Sequence, residues 1–263
     1  MNRTPPIVTI TSDFGWRDYH LALIKGKLLC QTPNARIVDI SHEVGHYNIV
    51  EAAFLFKHSW KAFPVGTIHL LSVNDFGEPD KPYLVFSHKG HHFIGPDNGL
   101  FSLVFTEQPA HIFAIDMSEE TPSNFPIASI FAKSVGHFSQ DLPAGGLGKA
   151  VDKWTERITF HPVTGPNLIR ASVVYVDNFD NVILNIHQEL FENIGNSRDF
   201  ELFFKRHSPI KKLSTYYHEV PIGEILCRFN SARLLEIAIN MDKAATLLGL
   251  KVEDTVQVDF KGG

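Results

Sequence analysis

The chain has 263 residues, of which 44% are hydrophobic and 20% are charged, a composition typical of a soluble globular protein with one large domain or two smaller ones. Its net charge of −5 argues against a general nucleic-acid binder, because such proteins need an excess of Lys and Arg to meet phosphates. No apolar run reaches the roughly 18 residues needed to cross a bilayer, so we expect no membrane segment.

The first half of the chain alternates short apolar runs with segments of helical periodicity. Runs at residues 7–10, 37–40 and 67–73 predict strands, and residues 18–29 and 48–63 place apolar side chains at helical spacing. A strand–helix–strand order repeated in this way predicts a parallel sheet covered by helices.

The pattern then becomes less regular. It predicts, in order, a hairpin from residues 83–87 and 92–94, a tight turn at 95–99, a strand or short helix at 100–105, a strand at 111–115 and a helix at 127–138. A glycine-rich stretch and a polar segment with two prolines follow, so we expect an N-terminal domain to end at residue 155 and a linker to occupy residues 156–168.

Residues 169–263 have a different character. The pattern predicts strands at 169–176, 182–186, 225–229, 234–239 and 256–260, with a short helix at 244–250. We therefore predict an α/β N-terminal domain, residues 1–155, with a mainly parallel sheet flanked by helices. A smaller all-β, barrel-like C-terminal domain is expected to follow the linker.

Cysteine and histidine give no sign of a metal centre. Cys30 and Cys227 are the only cysteines, and the fourteen histidines are scattered, with His91 and His92 interpreted as part of an exposed hairpin. The first residues lack the apolar core of a signal peptide. We therefore predict no metal, no cofactor, reduced thiols and a cytoplasmic protein.

The most informative segment runs from Ser12 to Asp18, directly after the first predicted strand. Its acids Asp13 and Asp18 are expected at the carboxyl edge of the sheet, where open α/β sheets bind ligands. Two carboxylates there suit a ligand that offers hydroxyls and a cation, such as a ribose and an ammonium or sulfonium group, and they do not suit a phosphate. The alternative is a turn followed by a helix that Asp18 caps.

A second polar segment, residues 177–181, closes the predicted strand at 169–176. The amide of Asn181 can pair with the edge of a nucleobase, because it offers a donor and an acceptor together. Phe179 can stack on the face of the same base. Tyr216 can supply a second ring, and the hydroxyl of Ser231 can hold a carboxylate. For each of these residues the alternative is an ordinary turn or a packing role.

These segments together resemble the S-adenosylmethionine (SAM) hydroxide adenosyltransferases, relatives of the bacterial fluorinase and chlorinase. The resemblance rests on an ordered set that spans nearly the whole chain: residues 12–18, 38–43 (Val-Asp-Ile-Ser-His-Glu), 95–100 (Gly-Pro-Asp-Asn-Gly-Leu), 177–181, 230–231, 235–238 and 247–250. It implies a homotrimer whose sites lie between subunits, with SAM or its nucleoside part as substrate or ligand.

The resemblance also implies roles for residues of the N-terminal half. Asp13 would hold the ribose hydroxyls, and Asp18 would lie near the methionine amino group. Tyr47 occupies the place of an aromatic residue that packs against the sugar. Phe125 belongs to a segment that corresponds to a site segment of the family, and it is a further ligand-binding candidate.

In the C-terminal half the resemblance implies a nucleobase site. Phe179 and Tyr216 would sandwich adenine, and Asn181 would read its edge. The backbone near Met241 would help Asn181, and the amino-acid end of SAM would be bound by Asp177 and Ser231.

The chain departs from the family at the residues that handle water. The family's hydrolases use an Asp, an Arg and a His, and an ungapped comparison places Asn74, Lys81 and Pro126 at those positions. Asp75 can take over from Asn74 if the turn is rebuilt, so our catalytic candidates are Asn74, Asp75 and Lys81. A partner that accepts the proton of water is worth roughly a hundred- to ten-thousand-fold in rate.

Three functions stay open at this point. The first is hydrolysis of SAM to adenosine and L-methionine by attack of water at the ribose 5′ carbon, with an altered water site. The second is a non-hydrolytic protein that binds or senses SAM or adenosine, which the changed residues favour. The third is adenosyl transfer to another nucleophile such as halide, although Ile127 stands where the halogenases place a halide-contacting Ser.

Overall fold

The structure is a computed structural model that describes residues 4–75, 81–116, 125–158 and 161–262. By its internal contacts the chain divides into two compact units, Met1–Ile158 and Thr159–Gly263. Each unit has its own sheet and its own buried apolar core.

The first unit contains a sheet with helices packed against it. Its strands are β1 (Ile7–Ser12), β2 (Arg36–Ser41), β3 (Ile68–Ser72), β4 (Tyr83–His88), β5 (His91–Pro96), β6 (Ile112–Ile115) and β7 (Gly148–Val151). Its α-helices are α1 (His20–Gln31), α2 (Ile49–Lys57), α3 (Leu100–Val104) and α4 (Ile127–Phe138). Short 3₁₀ helices lie at Trp60–Ala62 and Ala144–Leu147.

The sheet of the first unit is mixed, with the order β2-β1-β3-β5-β4-β6-β7. Strands β2, β1, β3 and β5 pair in parallel, whereas β4, β6 and β7 join by antiparallel pairings. The prediction of a mainly parallel sheet therefore holds only for half of it. The physical reason is the hairpin turn between β4 and β5, where Lys89 and Gly90 take positive φ angles of 50° and 78° and reverse the chain.

The predicted helices of both units are present, and those expected at residues 48–63 and 244–250 are shorter than predicted. Helix α4 has the bounds that its apolar spacing predicts. Residues 100–105, for which the sequence left strand and helix open, contain helix α3. The predicted helix at 48–63 is shorter and ends as α2 at Lys57. The hydroxyl of Ser59 donates to the carbonyl groups of Leu55 and Phe56, at 2.9 and 3.2 Å, which competes with further helical bonds.

The second unit is built on an antiparallel sheet. Its strands are β8 (Val163–Gly165), β9 (Leu168–Val176), β10 (Val182–His187), β11 (Phe200–Phe204), β12 (Ile225–Phe229), β13 (Leu234–Ile239) and β14 (Thr255–Phe260). Its α-helices are α5 (Gln188–Gly195) and α6 (Ala244–Leu248), and a 3₁₀ helix lies at Tyr217–Glu219. The order is β11-β14-β9-β10-β13-β12, with β8 on β9.

Three elements of the second unit were not predicted: β8, α5 and β11. Strand β8 lies within the stretch interpreted as a linker and pairs with β9. Helix α5 has eight residues, of which only Phe191 and Gly195 are buried, so its apolar stripe is too short to give a clear helical period. The described pairings leave β11 and β12 as edges, so the barrel-like expectation holds in its coarser form of a β-rich unit.

The longest described helices, α1 and α4, have 12 residues each, and no helix in the described part of the chain is long and apolar enough to span a membrane. Helix α1 buries Leu21, Ile24 and Leu28, which belong to the same apolar cluster as the buried face of α4. Helices α1 and α4 therefore pack against the sheet through their apolar faces.

Two of the buried histidines of the first unit, His69 and His91, are hydrogen-bonded to each other among buried aromatic rings. The ring of His69 shares hydrogen bonds with Thr9 Oγ1, at 2.7 Å from its Nδ1, and with His91 Nδ1, at 3.1 Å from its Nε2. His69 is fully buried and His91 is 5% exposed, so the exposed-hairpin interpretation is wrong for His91. It fails because β5 is an interior strand between β3 and β4, and Trp60 packs over the His91 ring.

The buried state of His69 predicts a loss of stability in mild acid. Burial, with a smaller contribution from His91 and His92, lowers the pKa of His69 from 6.5 to about 3. Below pH 6.5 the unfolded chain binds a proton that the folded protein does not bind until about pH 3, so stability is lost as the pH falls through this window. One such histidine lowers the free energy of unfolding by about 1.4 kcal/mol between pH 7.5 and 5.5.

Urea unfolding at these two pH values measures the effect in the wild type and in His69→Gln. The Gln variant should lose less stability than the wild type over the same interval, because it lacks the titrating group. His111→Gln is the matched control, since His111 is exposed. An equal loss in His69→Gln and in the wild type would show that His69 is not held neutral.

Candidate functional site

Three neighbouring parallel strands of the first unit end at the same edge of the sheet, and a polar segment follows each of them. Asp13 follows β1, Asn74 and Asp75 follow β3, and Asp97 and Asn98 follow β5. The carboxyl ends of parallel strands are where α/β sheets bind ligands. The first unit therefore has one candidate site at this edge.

Asp13 is the residue that joins the loops of this edge. Its Oδ2 accepts hydrogen bonds from the backbone N–H groups of Tyr47, at 2.9 Å, and Asn74, at 3.1 Å. Both donors lie in the left-handed region, with φ of 65° and 53°, which turns their N–H groups toward the same carboxylate. Both bonds end on Oδ2, so the described contacts leave Oδ1 to a ligand.

Asp75 is held by two hydroxyl groups. Its Oδ2 accepts from Ser72 Oγ at 3.0 Å, and its Oδ1 accepts from Tyr83 OH at 2.7 Å. Burial, together with the charge of Asp75, raises the pKa of Tyr83 well above its usual range, so the phenol stays a donor. Asp75 is thus an oriented carboxylate at the end of β3.

Asn98 holds the loop that follows β3, a role that sequence reasoning missed. Its Nδ2 donates to the carbonyl groups of Val73, at 2.8 Å, and Asn74, at 3.3 Å, and its Oδ1 accepts from Leu100 N. Asn98 is 5% exposed. The sequence signal was a tight turn at residues 95–99, which does not distinguish a solvent-facing Asn from one that holds a neighbouring loop.

The other candidates of the first unit differ in how close they lie to this edge. Tyr47 is 61% exposed beside Asp13. Phe125 packs against Phe14 and His20, with ring centroids 5.6 and 5.1 Å away, so its ring contacts the segment that follows β1. Asp18 is exposed on the same loop.

The capping role considered for Asp18 is wrong. The N-cap of α1 is Tyr19, the N-terminus of this helix has no side-chain cap hydrogen bond, and its first turn contains no acidic residue. Asp18 therefore does not cap α1 by a side-chain hydrogen bond.

Two further positions, Lys81 and Pro126, correspond by the sequence comparison to water-handling residues of the family. Pro126 is the N-cap of α4 and carries no group that can move a proton. Lys81 is exposed and follows residues 76–80, which lie outside the described residues together with Asn124. In the part of the chain that is described, no group of three or more His, Cys, Asp or Glu is placed to hold a metal ion.

In the second unit, Asp177 organises the turn between β9 and β10. Its Oδ1 accepts from the backbone N–H groups of Phe179 and Asn181, each at 2.9 Å, and its Oδ2 accepts from Asn181 Nδ2 at 3.0 Å. Asn181 is 6% exposed, whereas Phe179 is 77% exposed. The turn therefore presents an aromatic ring to the outside and orients a buried amide next to it.

Asp180, the fourth residue of this turn, was not singled out from the sequence. It lies at a positive φ of 68°. Its carbonyl oxygen accepts from Ala245 N at 2.8 Å, and its Oδ2 accepts from Thr246 N at 2.7 Å. Asp180 therefore ties the turn to the first residues of α6, where backbone N–H groups have no helical partner.

The other candidates of the second unit lie on exposed loops. Tyr216 is 59% exposed and stacks on His218, with a centroid distance of 5.4 Å, and Met241 is 82% exposed. Ser231 is exposed in a turn that Asn230 shapes, because Asn230 Oδ1 accepts from Ala232 N and Leu234 N. Among the described rings, Phe179 and Tyr216 do not stack on each other.

A buried acid lies on the neighbouring strand and was missed from the sequence. Glu236, on β13, is 2% exposed, and its Oε1 accepts from Tyr217 OH at 2.7 Å. Burial raises the pKa of Glu236. The guanidinium group of Arg228 lies 4.6 Å from the centre of the Tyr217 ring. These contacts fix the segment that carries Tyr216.

Comparison with known proteins places both units in one family. The model of the SAM hydroxide adenosyltransferase N-terminal domain matches residues 8–148, and that of the C-terminal domain matches residues 171–257.

Individual relatives match over nearly their whole length. The chain is 28% identical to (R)-S-adenosyl-L-methionine hydrolase of Thermus thermophilus, covering 93% of this chain and 96% of the relative. It is 25% identical to a fluorinase of Nocardia brasiliensis, with 98% of both chains covered. Among solved structures, an uncharacterized conserved protein of Thermotoga maritima superposes with a TM-score of 0.86 at 28% identity, covering 96% of this chain and 99% of the other.

Each of the two domain matches includes one group of the candidate site residues. The first includes Asp13 and the loops that its carboxylate joins, and the second includes the turn from Asp177 to Asn181. The first match alone covers more than half of the chain. The chain belongs to the SAM hydroxide adenosyltransferase family.

Proposed function

We propose that this protein hydrolyses SAM to adenosine and L-methionine. A water oxygen forms a bond to the ribose 5′ carbon, the bond from that carbon to the sulfonium sulfur breaks, and methionine leaves with the electron pair. The observation that carries the proposal is the Asp13 carboxylate, which accepts backbone hydrogen bonds from two loops at the carboxyl end of β1. The chain that holds it matches both domains of the family.

In the first unit, the proposal assigns the sugar and the amino group of SAM. The Asp13 carboxylate accepts hydrogen bonds from the ribose hydroxyls, which it can do through the oxygen that the loops do not occupy. Tyr47 packs against the sugar, and its exposed ring beside Asp13 supports this role. Asp18, which is exposed on the same loop and is not the N-cap of α1, pairs with the methionine ammonium, and Phe125 supports this loop.

In the second unit, the proposal assigns the adenine. Phe179 and Tyr216 stack on its two faces, and Asn181 pairs with its edge, helped by the backbone near Met241. The support is the turn that holds Asn181 by its Nδ2 beside an exposed Phe179. Asp177 and Ser231 bind the amino-acid end; a carboxylate has about four acceptor positions, and three are used within the turn.

The assembly that we propose is a homotrimer, in which the N-terminal unit of one subunit and the C-terminal unit of its neighbour share each SAM. Its support is the exposure of large apolar side chains in both units. Trp16, Tyr19 and Tyr47 are 56%, 70% and 61% exposed, and Phe179 and Met241 are 77% and 82% exposed. Clusters of exposed aromatic residues are typical of surfaces that bind a partner or a ligand.

The water is handled by residues that differ from the family's usual set. The sulfonium is already a good leaving group, so much of the rate comes from placing the water in line with the carbon–sulfur bond. Asp75 accepts the proton of the attacking water, Asn74 orients the water, and Lys81 stabilises the developing hydroxide by its charge. The two hydroxyl donors on Asp75 fix the direction of its carboxylate.

Turnover of SAM by the purified protein tests the proposal. Incubation with SAM should give adenosine and methionine in equal amounts, separated by chromatography. Tight binding without adenosine would instead favour the second candidate, a SAM-binding protein, which the replacement of a base by Pro126 supports. Formation of 5′-chloro-5′-deoxyadenosine in chloride would show adenosyl transfer to halide. With neither binding nor product, the proposal would be wrong.

A substitution of Asp75 tests its role as proton acceptor. We expect Asp75→Asn to lower kcat about a hundredfold or more, because an amide cannot take the proton, while KM changes little. The Asn side chain can accept from one of the two hydroxyl groups through Oδ1 and donate from Nδ2 to the oxygen of the other, so the turn is retained. Steady-state kinetics from adenosine formation measure both constants.

Asp152→Asn is the control for this experiment, because Asp152 is an exposed acid on the turn after β7. It should keep the wild-type kcat. If Asp75→Asn also keeps the wild-type kcat, Asp75 is not the base, and Asn74 and Lys81 remain the residues to test.

A further inference from the structure

His42 lies at the end of β2 in a chain of hydrogen bonds that neither the ligand roles nor the water chemistry uses. Its Nδ1 is 2.7 Å from Ser12 Oγ, and its Nε2 is 2.9 Å from Asp39 Oδ1. Asp39 Oδ2 accepts from Lys25 Nζ at 2.6 Å, so this series of hydrogen bonds extends to a partly exposed lysine. His42 is 1% exposed and Ser12 is fully buried.

The surroundings of His42 hold it in one protonation state. Burial lowers its pKa, against the opposing effect of Asp39, so the ring is neutral at pH 7. A neutral ring has one N–H, and a carboxylate can only accept, so the proton lies on Nε2 and points at Asp39. Nδ1 is then the acceptor, and the hydroxyl of Ser12 donates to it.

The order Ser12, His42, Asp39 is the connectivity of a hydrolytic triad, but it does not work as one here. A nucleophilic serine must meet a carbon of the substrate, and Ser12 has no exposed surface. The three residues therefore position other groups rather than react.

What they position is the loop that carries Asp13. Ser12 is the residue immediately before Asp13, and the carbonyl oxygen of His42 accepts from Gly15 N at 2.7 Å. His42 is thus bonded to the chain on both sides of Asp13. The Trp16 ring meets the His42 ring edge to face at 4.7 Å and has Lys25 Nζ 5.3 Å from its centre, so the next residue of the loop is also held.

We propose that His42 is a positioning residue for recognition of the ribose. It fixes residues 12–16 so that the Asp13 carboxylate lies where the sugar hydroxyls arrive, and the bonds to Asp39 and Lys25 keep the imidazole in the required orientation. This inference rests on the proposed role of Asp13.

Discrimination between two nucleosides tests the proposal without requiring turnover. Adenosine and 2′,3′-dideoxyadenosine differ only in the two hydroxyls, and calorimetry measures the dissociation constant of each. The wild type should prefer adenosine by about tenfold or more, the size of a hydrogen bond to a charged group. In His42→Leu the preference should fall to about threefold or less, with weaker binding of adenosine and nearly unchanged binding of the dideoxy analogue.

His69→Leu is the matched control. His69 is also buried in the same sheet and is bonded through Nδ1 to a hydroxyl of β1, that of Thr9, at the same distance of 2.7 Å. It lies on β3 opposite Thr9, away from the loop that carries Asp13. Both variants remove a buried imidazole, but only the His42 variant should lose the preference for ribose.

Two further variants keep the test decisive. His42→Asn retains an oxygen near the place of Nδ1 for Ser12 and should recover part of the preference. Ser12→Ala removes the same bond with a small change in volume, and it serves if His42→Leu does not give a cooperative thermal transition. Its preference should also fall below that of the wild type.

The possible failures point to different errors. If folded His42→Leu or Ser12→Ala keeps the wild-type preference, or if His69→Leu loses it equally, the positioning role is overturned. A wild type that binds both nucleosides equally would instead overturn the ribose role of Asp13, and this inference with it. Adenosine formation from SAM is measured separately, so a failure of hydrolysis is recognised independently.

Discussion

The carboxylate of Asp13 is the interaction on which the candidate site of the first unit depends. It accepts two backbone hydrogen bonds, from the loops that follow β2 and β3, and thereby joins three strand ends into one surface. Hydrogen bonds to a charged acceptor contribute about 1.5–3 kcal/mol each. The left-handed backbone at the two donors, Tyr47 and Asn74, costs of order 1–3 kcal/mol each. The loops keep this shape because the carboxylate offsets that strain.

The same device recurs in the second unit, where the carboxylates of Asp177 and Asp180 shape a turn. Asp177 accepts backbone N–H groups within its own turn, and Asp180 accepts one from the start of α6. An acid that gathers N–H groups in this way is bound to a single loop conformation, and the side chains beside it are left to the ligand. This explains how Tyr47 and Phe179 can be exposed and yet lie on well-defined turns.

The scaffold alone does not decide the chemistry of this family. Relatives named as a SAM hydrolase and as fluorinases match the chain along nearly its whole length, so one arrangement of domains accompanies different nucleophiles. The choice must then rest on the few side chains around the reacting carbon. For this chain we propose Asn74, Asp75 and Lys81 in that role, and of these Asp75 is held by two hydroxyl donors.

Local pattern by itself determined most of the elements and the order in which polar segments follow strands. The apolar spacing of residues 127–138 is enough to place α4, and an acid after an apolar run is enough to place Asp13 at a sheet edge. These features depend on neighbouring residues, whose relation is visible along the chain.

Tertiary structure alone decided which of these residues meet. The bond from Asn98 to Val73 and the bond from Ser12 to His42 join positions 25 and 30 residues apart. The antiparallel half of the first sheet and the burial of His91 likewise follow from strand order. Such contacts arise when strands pair across the sheet, and no spacing within one segment encodes their partners. The sequence therefore determined the candidate groups, and packing decided which of them meet at the sheet edge, which hold a loop and which are only buried.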